Sequence, residues 1–213
     1  MGKPSVKNQS RGRGSEDIWL DAAYRVLVDS GVDAIKVMPL AKILKLSRTS
    51  FYWHFNNRDA LLDALVEKWK QRNTGSLIRQ TEMYAETITE AVLNLFDCWI
   101  DAKLFDARMD FAIRNWAQNS SKLEKTLEKT DEQRIEAIRI MFTRFGFSES
   151  HASIRAHTIY YAQVGYISMM VEQPLKDRLK RMPDYVDTFA GSFPSEAEIA
   201  RFMARHRDLV AAW

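Results

Sequence analysis

Apolar residues recur at helical spacing along nearly the whole chain, and only 8 glycines and 5 prolines in 213 residues interrupt the pattern. Recurrence at i, i+3, i+4 and i+7 marks helices that bury one face, and no segment shows the bounded two-residue alternation of a strand. The chain is therefore expected to be all-α, with about nine helices and no internal repeat. No apolar run approaches the roughly 18 residues that a membrane span requires, so no membrane partner is expected.

Local punctuation places the elements. Ser15 is suited to cap a first helix carrying Glu16 and Asp17 in its opening turn and Trp19, Ala23, Val26 and Leu27 on one face, with Ser30-Gly31 as its stop. Pro39 fits the first turn of a short second helix with Leu40, Ile43 and Leu44 inward. Ser47 is the expected cap of a third helix over 48–55, with Leu46 and Phe51 placed as a hydrophobic staple. Asn56-Asn57 precedes a fourth helix bearing Leu61, Leu62, Leu65 and Trp69. Longer helices are expected near 83–101, 104–118, 121–145, 149–172 and 195–212. Gly146 and Ser148 separate two of them, and Ser195 with Glu198 forms a capping box. Residues 174–194, with Pro183, Gly191 and Pro194, read as a long connection with room for a short helix.

Charge is unevenly spread. Residues 1–72 hold 13 Lys/Arg against 8 Asp/Glu, whereas the remainder holds 18 against 20. Lys3, Lys7, Arg11 and Arg13 lie in a segment, 1–14, without a single carboxylate. No apolar signal core follows them, so a cytoplasmic chain is expected rather than a secreted one. A basic first third on a slightly acidic remainder suits a polyanion partner.

The second and third helices, joined through Lys45-Leu46-Ser47, have the dimensions of a helix-turn-helix. In the third, Phe51 and Phe55 form the inward face, while Arg48, Thr49, Ser50, Tyr52, Trp53 and His54 cover the rest. No acidic residue occurs between Lys36 and Arg58, and carboxylates there would repel a phosphate backbone. The stretch GVDAIKVMPLAKILKLSRTSFYWHFNNRDALL, from Gly31 to Leu62, resembles the DNA-binding region of the tetracycline-repressor (TetR) family. The closest correspondence is SRTSFYWHFNNRDALL, with its Tyr-x-His-Phe ending and the basic start of the next helix.

The resemblance implies an N-terminal three-helix DNA-binding domain at 15–60 after a basic arm at 1–14, and a helical ligand-binding and dimerisation domain at 61–213. By that correspondence Arg48, Thr49 and Ser50 fall where base edges or nearby phosphates are reached, and Tyr52 and His54 at phosphate-contacting positions. Arg58 corresponds to the basic residue opening the fourth helix. Lys36 and Ser47 join this set, Trp53 is placed to stack on sugar or touch a thymine methyl, and Lys45 stands where the family commonly has glycine. The implied partners are a palindromic double-stranded DNA operator, a second copy of the chain, and a small organic effector whose binding releases the DNA.

The body carries weaker signals. Phe96, Trp99, Phe105, Met109, Phe111 and Trp116, with Arg114, Asn115, His157, Tyr161 and Gln163, are candidates for a partly aromatic ligand pocket, or for ordinary helix core. Arg114 either holds a ligand carboxylate or pairs with Asp110 one turn earlier. Tyr161, Gly165 and Ser168, together with Ile199, Phe202, Met203, His206 and Leu209 of the final helix, are candidates for a dimer interface or for packing within the body.

The histidines His54, His151, His157 and His206 lack metal-ligand spacing, no phosphate-binding glycine loop or nucleophile elbow occurs, and Cys98, the only cysteine, sits in an apolar helix. Neither a metal, a cofactor nor an enzymatic activity is expected. A DNA-binding scaffold that responds to no small molecule is the alternative to an effector-controlled repressor.

Overall fold

A computed structural model describes residues 15–208, which form helices and turns without a strand. The expected basic arm at 1–14, and Leu209 of the expected dimer interface, lie outside the described residues. Two compact units divide the chain, one ending at Trp69 and the other beginning at Lys70.

The first unit contains α1 (Glu16–Ser30), a 3₁₀ turn (Val32–Ala34), α2 (Val37–Leu44), α3 (Arg48–Phe51) and α4 (Arg58–Trp69). Trp19, Leu40, Phe51, Leu61 and Leu65 are fully buried between them. Each such burial contributes about 1.5–3 kcal/mol. The Trp19 and Phe51 rings meet edge to face, 5.3 Å apart at 80°. Because α4 packs on α1, it belongs to this unit, and the boundary expected at residue 60 falls inside a helix. Ile43, expected inward, is 59% exposed. The buried face of α2 is Leu40 and Ala41 with Leu44 half-buried, and Ile43 stands about 100° around the helix from its centre.

The second unit contains a π turn (Lys70–Thr74), α5 (Gly75–Glu82), α6 (Ile88–Ile100), α7 (Ala107–Ala117), α8 (Ser121–Arg144) and α9 (Glu149–Ser168). It continues through α10 (Leu175–Lys180), α11 (Met182–Ala190) and α12 (Glu196–Arg205). From Thr89 to Ile100 every residue of α6 except Glu90 is buried, so the other helices gather around it. Twelve α-helices thus stand among the described residues where about nine were expected. The additional ones are α5 and the pair α10 and α11, short helices held by tertiary bonds rather than by long periodic runs. Ahead of α5, the Asn73 side chain accepts from the Asp106 amide at 2.9 Å and donates to the Asp106 carbonyl at 3.1 Å. In α11, Pro183 occupies the first turn and Gly191 closes the C-terminus at φ 78°, so residues that looked like breakers are caps.

A buried ion network joins α7, α8 and α9 of this unit to the turn before α5. Arg134 of α8, with no exposed surface, donates through Nη1 to Asp110 Oδ1 and Tyr160 Oη, both at 3.0 Å, and through Nε to Thr74 Oγ1 at 2.8 Å. Arg114 donates to Asp110 at 2.9 Å and in bidentate fashion to Asp131 at 2.8 Å. Tyr160 accepts from Arg114 at 2.9 Å and donates to Asp131 at 2.6 Å. Burial drives the Tyr160 phenol pKa upward, so it remains a proton donor. Asp110→Ala strands two guanidiniums and is expected to cost about 3–5 kcal/mol in urea unfolding. Arg201→Ala, which breaks a pair between a half-exposed guanidinium and the partly buried Glu90, should cost no more than about 1 kcal/mol.

Candidate nucleic-acid interface and body cleft

The turn between α2 and α3 is set by backbone conformation. Lys45 adopts the left-handed region at φ 54°, ψ 38°, and the Leu46 amide donates to the Ala41 carbonyl at 2.9 Å, closing α2. The chain then reverses, and Ser47 caps α3 by accepting from the Ser50 amide at 3.2 Å. Helix α3 is shorter than the expected 48–55: regular geometry ends at Phe51 and turns follow. The Phe55 amide still bonds the Phe51 carbonyl at 3.0 Å, so Phe55 stays in the core beside Phe51.

This arrangement presents Lys36, Lys45, Ser47, Arg48, Thr49, Tyr52 and Trp53 to solvent. Lys42, not selected from sequence, is also exposed. Trp53 is 63% exposed, which apolar burial alone does not explain. The Arg48 guanidinium donates to Tyr52 Oη at 3.1 Å and lies 5.6 Å from its ring centroid, which preorders two donors on one surface. Ser50 differs from expectation. It is buried at 3% exposure, because the position one residue before Phe51 also falls on the inner side of so short a helix. His54 is half-buried, and its Nε2 atom is enclosed without a hydrogen-bond partner among the described residues.

Arg58 is committed within its own unit. Its guanidinium donates to the Ile35 carbonyl at 2.6 Å and the Val32 carbonyl at 2.7 Å, clamping the 3₁₀ turn that leads into α2. Its role as a free phosphate ligand is thereby narrowed to whatever the partly exposed side chain retains.

In the second unit, a cleft of about 50 Å³ that opens to solvent lies among α6, α9, α10 and α11. Of the residues expected in a pocket, Phe96, Trp99 and Gln163 line it. Phe105 packs beneath the Arg134 guanidinium at 5.3 Å, Met109 is buried core, and Phe111 packs against that core. Arg114 takes the second of its two expected roles, pairing with Asp110 and Asp131. Asn115 is exposed, Trp116 is half-buried, and neither lines the cleft. His157 donates through Nδ1 to the Ser153 carbonyl at 2.7 Å and meets the Tyr161 ring edge-on, and Tyr161 itself is 59% exposed. The cleft instead takes Arg178, Met182, Tyr185 and Phe189 from the segment read as a connection. Their signal was the spacing of Met182, Val186, Phe189 and Ala190 at i, i+4, i+7 and i+8, masked by the flanking Pro183 and Gly191.

The expected dimer residues divide. Phe202 at 1% and His206 at 4% exposure are internal, and His206 Nε2 lies 2.7 Å from Asp97 Oδ1, which corrects their assignment to an interface. Ile199 and Met203 are half-buried, and Met203 packs on the core. Tyr161, Gly165 and Ser168 lie on an outer stripe of α9 that also carries Ile154, 61% exposed, and Thr158. Cys98 is fully buried, and burial raises its thiol pKa to about 12, so it carries no thiolate at neutral pH.

Residues 20–65 match the model described as bacterial regulatory proteins, tetR family. The chain is similar to the class G tetracycline repressor protein of Vibrio anguillarum, with 36% identity over 74 residues, 34% of this chain and 35% of that protein. It is also similar to the class A tetracycline repressor protein from transposon 1721 of Escherichia coli, with 34% identity over 87 residues, 41% and 34% of the two chains. The chain therefore spans about a third of the length of these relatives. A transcriptional regulator from Aquifex aeolicus shares the fold at TM-score 0.63 and 15% identity, over 82% of this chain and 99% of that one. A fatty acid degradation regulator from Bacillus halodurans does so at TM-score 0.58 and 16% identity, over 84% and 96%.

Two substitutions test this local geometry. Lys45→Gly relieves the left-handed conformation and should raise stability by about 0.5–1 kcal/mol, read by denaturant midpoint. Arg58→Ala removes two charge-assisted bonds and should lower it by about 1–3 kcal/mol, an effect that Arg58→Gln recovers only in part.

Proposed function

The chain belongs to the tetR family of bacterial regulatory proteins, and from that premise we propose that it is a DNA-binding transcriptional regulator acting as a ligand-responsive repressor. The observation that carries this reading is the exposed, carboxylate-free surface around α3, where Ser47, Arg48, Thr49, Tyr52 and Trp53 stand together beyond the α2–α3 turn. Hydrogen-bond donors and flat rings held in solvent gain nothing for folding, and they match base edges, sugars and phosphates. Lys36, Lys42 and Lys45 add the positive field that attracts the backbone.

One such helix reads too few bases for specificity, so a homodimer on a palindromic operator is the natural assembly. The outer stripe of α9, with Ile154, Tyr161 and Gly165, supports a dimer face, since large apolar side chains lie beside a small residue that permits close approach. The cleft of the second unit supports a small organic effector. Its binding favours a dimer conformation whose recognition helices no longer match successive major grooves, and operator affinity falls.

Selection from random duplexes is expected to enrich a palindrome bound by a dimer or paired dimers, with complex mass read by light scattering. No enrichment counts against the reading. On the selected operator, Arg48→Ala should lose about 1–3 kcal/mol of discrimination at one base position. Lys36→Ala should weaken all DNA equally and lower the salt slope by about one. Equal losses for Arg48→Ala on specific and random DNA would refute its assignment to base reading. Tyr161→Glu should shift the dimer toward monomer in sedimentation equilibrium, and an unchanged mass would place the interface elsewhere.

A further inference from the structure

Two arginines of the second unit are withdrawn from bulk water near its aromatic core, and they differ in partnership. Arg134 is surrounded by the carboxylates of Asp110 and Asp131. Arg178, on α10, lines the cleft and makes one hydrogen bond, from Nη2 to the Trp99 carbonyl at 2.9 Å. No carboxylate pairs with it among the described residues, and none of the side chains lining the cleft is acidic. Burial pushes the Arg178 pKa down from its ordinary value, yet a guanidinium stays charged at neutral pH. A half-buried cation with one carbonyl partner keeps unused donors in the planar fork that matches a carboxylate.

The rest of the cleft is a set of flat rings. Phe96 and Phe189 stack at 6.1 Å and 27°, and Tyr185 and Phe189 at 6.2 Å and 15°. Trp99 meets Phe96 edge to face at 5.1 Å, and its indole Nε1, buried, has no hydrogen-bond partner among the described residues. The Tyr166 and Tyr185 hydroxyls satisfy one another at 2.6 Å. Gln163 and Gln173 line the cleft as well. Parallel ring faces select a planar apolar body, and the uncompensated charge selects its polar end.

We propose that the cleft binds an aromatic carboxylate, with its ring system against Phe96, Tyr185 and Phe189 and its carboxylate on the Arg178 guanidinium. This assignment rests on the reading of the second unit as the effector-binding body, and it specifies the chemical class of that effector. A cation is disfavoured by Arg178. A saturated chain makes poorer use of the ring faces, and a neutral aromatic leaves the guanidinium without a counter-charge.

The test is calorimetric titration of the full chain with 2-naphthoate, benzoate and the neutral isostere 2-naphthamide. Naphthoate is expected to bind at least tenfold more tightly than naphthamide. Arg178→Gln should remove that preference by weakening naphthoate alone, and Arg178→Lys should retain part of it. Should Arg178→Gln fail to fold by circular dichroism, the acid-to-amide ratio on the unsubstituted chain decides. Equal affinity for acid and amide, or no binding of either acid at millimolar concentration, overturns the proposal. Operator binding in the presence of naphthoate separates the two readings. Naphthoate bound through Arg178 without any change in operator affinity upholds the aryl-carboxylate site and counts against its effector role. Operator release by other ligands with no acid preference does the reverse.

Discussion

The second unit depends on one electrostatic arrangement, the pairing of Arg134 and Arg114 with Asp110 and Asp131 around the Tyr160 hydroxyl. Withdrawing any of these charges from water alone would cost several kcal/mol, and their close contacts return that energy only when all are present and well aligned. The consequence is positional. Asp110 and Arg114 belong to α7, Asp131 and Arg134 to α8, and Tyr160 to α9, while Thr74 ties in the residue before α5. A slip of one residue in any of these helices would separate the partners. The network therefore fixes register, which interchangeable apolar contacts do only weakly. With α7, α8 and α9 so registered, α6 is enclosed and one wall of the cleft, Ile159, Ala162, Gln163 and Tyr166 on α9, is placed.

The first unit solves a different problem with different means. Its core is apolar, and its precision lies in two backbone devices. The left-handed Lys45 reverses the chain between α2 and α3, and the Arg58 clamp on the Val32 and Ile35 carbonyls holds the approach to α2. Phe51 anchors α3 against Trp19, so the opposite side of the same turn must carry Arg48, Thr49 and Tyr52 outward. Burial of two rings thus aims the polar surface, a division of labour that allows exposed residues to vary without loss of the fold.

Much of this was legible in the residues. Trp19, Phe51, Phe55 and the α4 leucines announce the first core by periodicity, Ser47 and Ser195 announce helix starts, and the carboxylate-free stretch from Lys36 to Arg58 marks the polyanion surface. What was hidden depends on contacts distant in sequence. Asn73 holds the approach to α5 through Asp106, and no local pattern records that bond. Phe202 and His206 follow the spacing of an interface stripe, but Asp97, 109 residues away, draws His206 inward. Ser50 and Arg58 show the same limit at the candidate interface: sequence gives the donor, and only packing tells whether the protein has already used it.

That last distinction carries furthest for the arginines of the body. From sequence Arg114 has two roles open to it, an anchor for a ligand carboxylate or a partner for Asp110 one turn earlier. The fold gives it two aspartates, and a guanidinium whose Nε, Nη1 and Nη2 all donate within the protein offers a ligand little that exceeds what it would lose. Arg178 lies in a segment with little helical signal and was passed over, yet it keeps its fork largely unspent beside a row of stacked rings. Buried charge alone does not separate structure from recognition, since both arginines are withdrawn from water. The separating quantity is the charge that remains uncompensated after folding. A protein stabilised by such an ion network can carry one guanidinium without a carboxylate partner nearby, because the register that the network enforces keeps the surrounding walls in place when no ligand is bound.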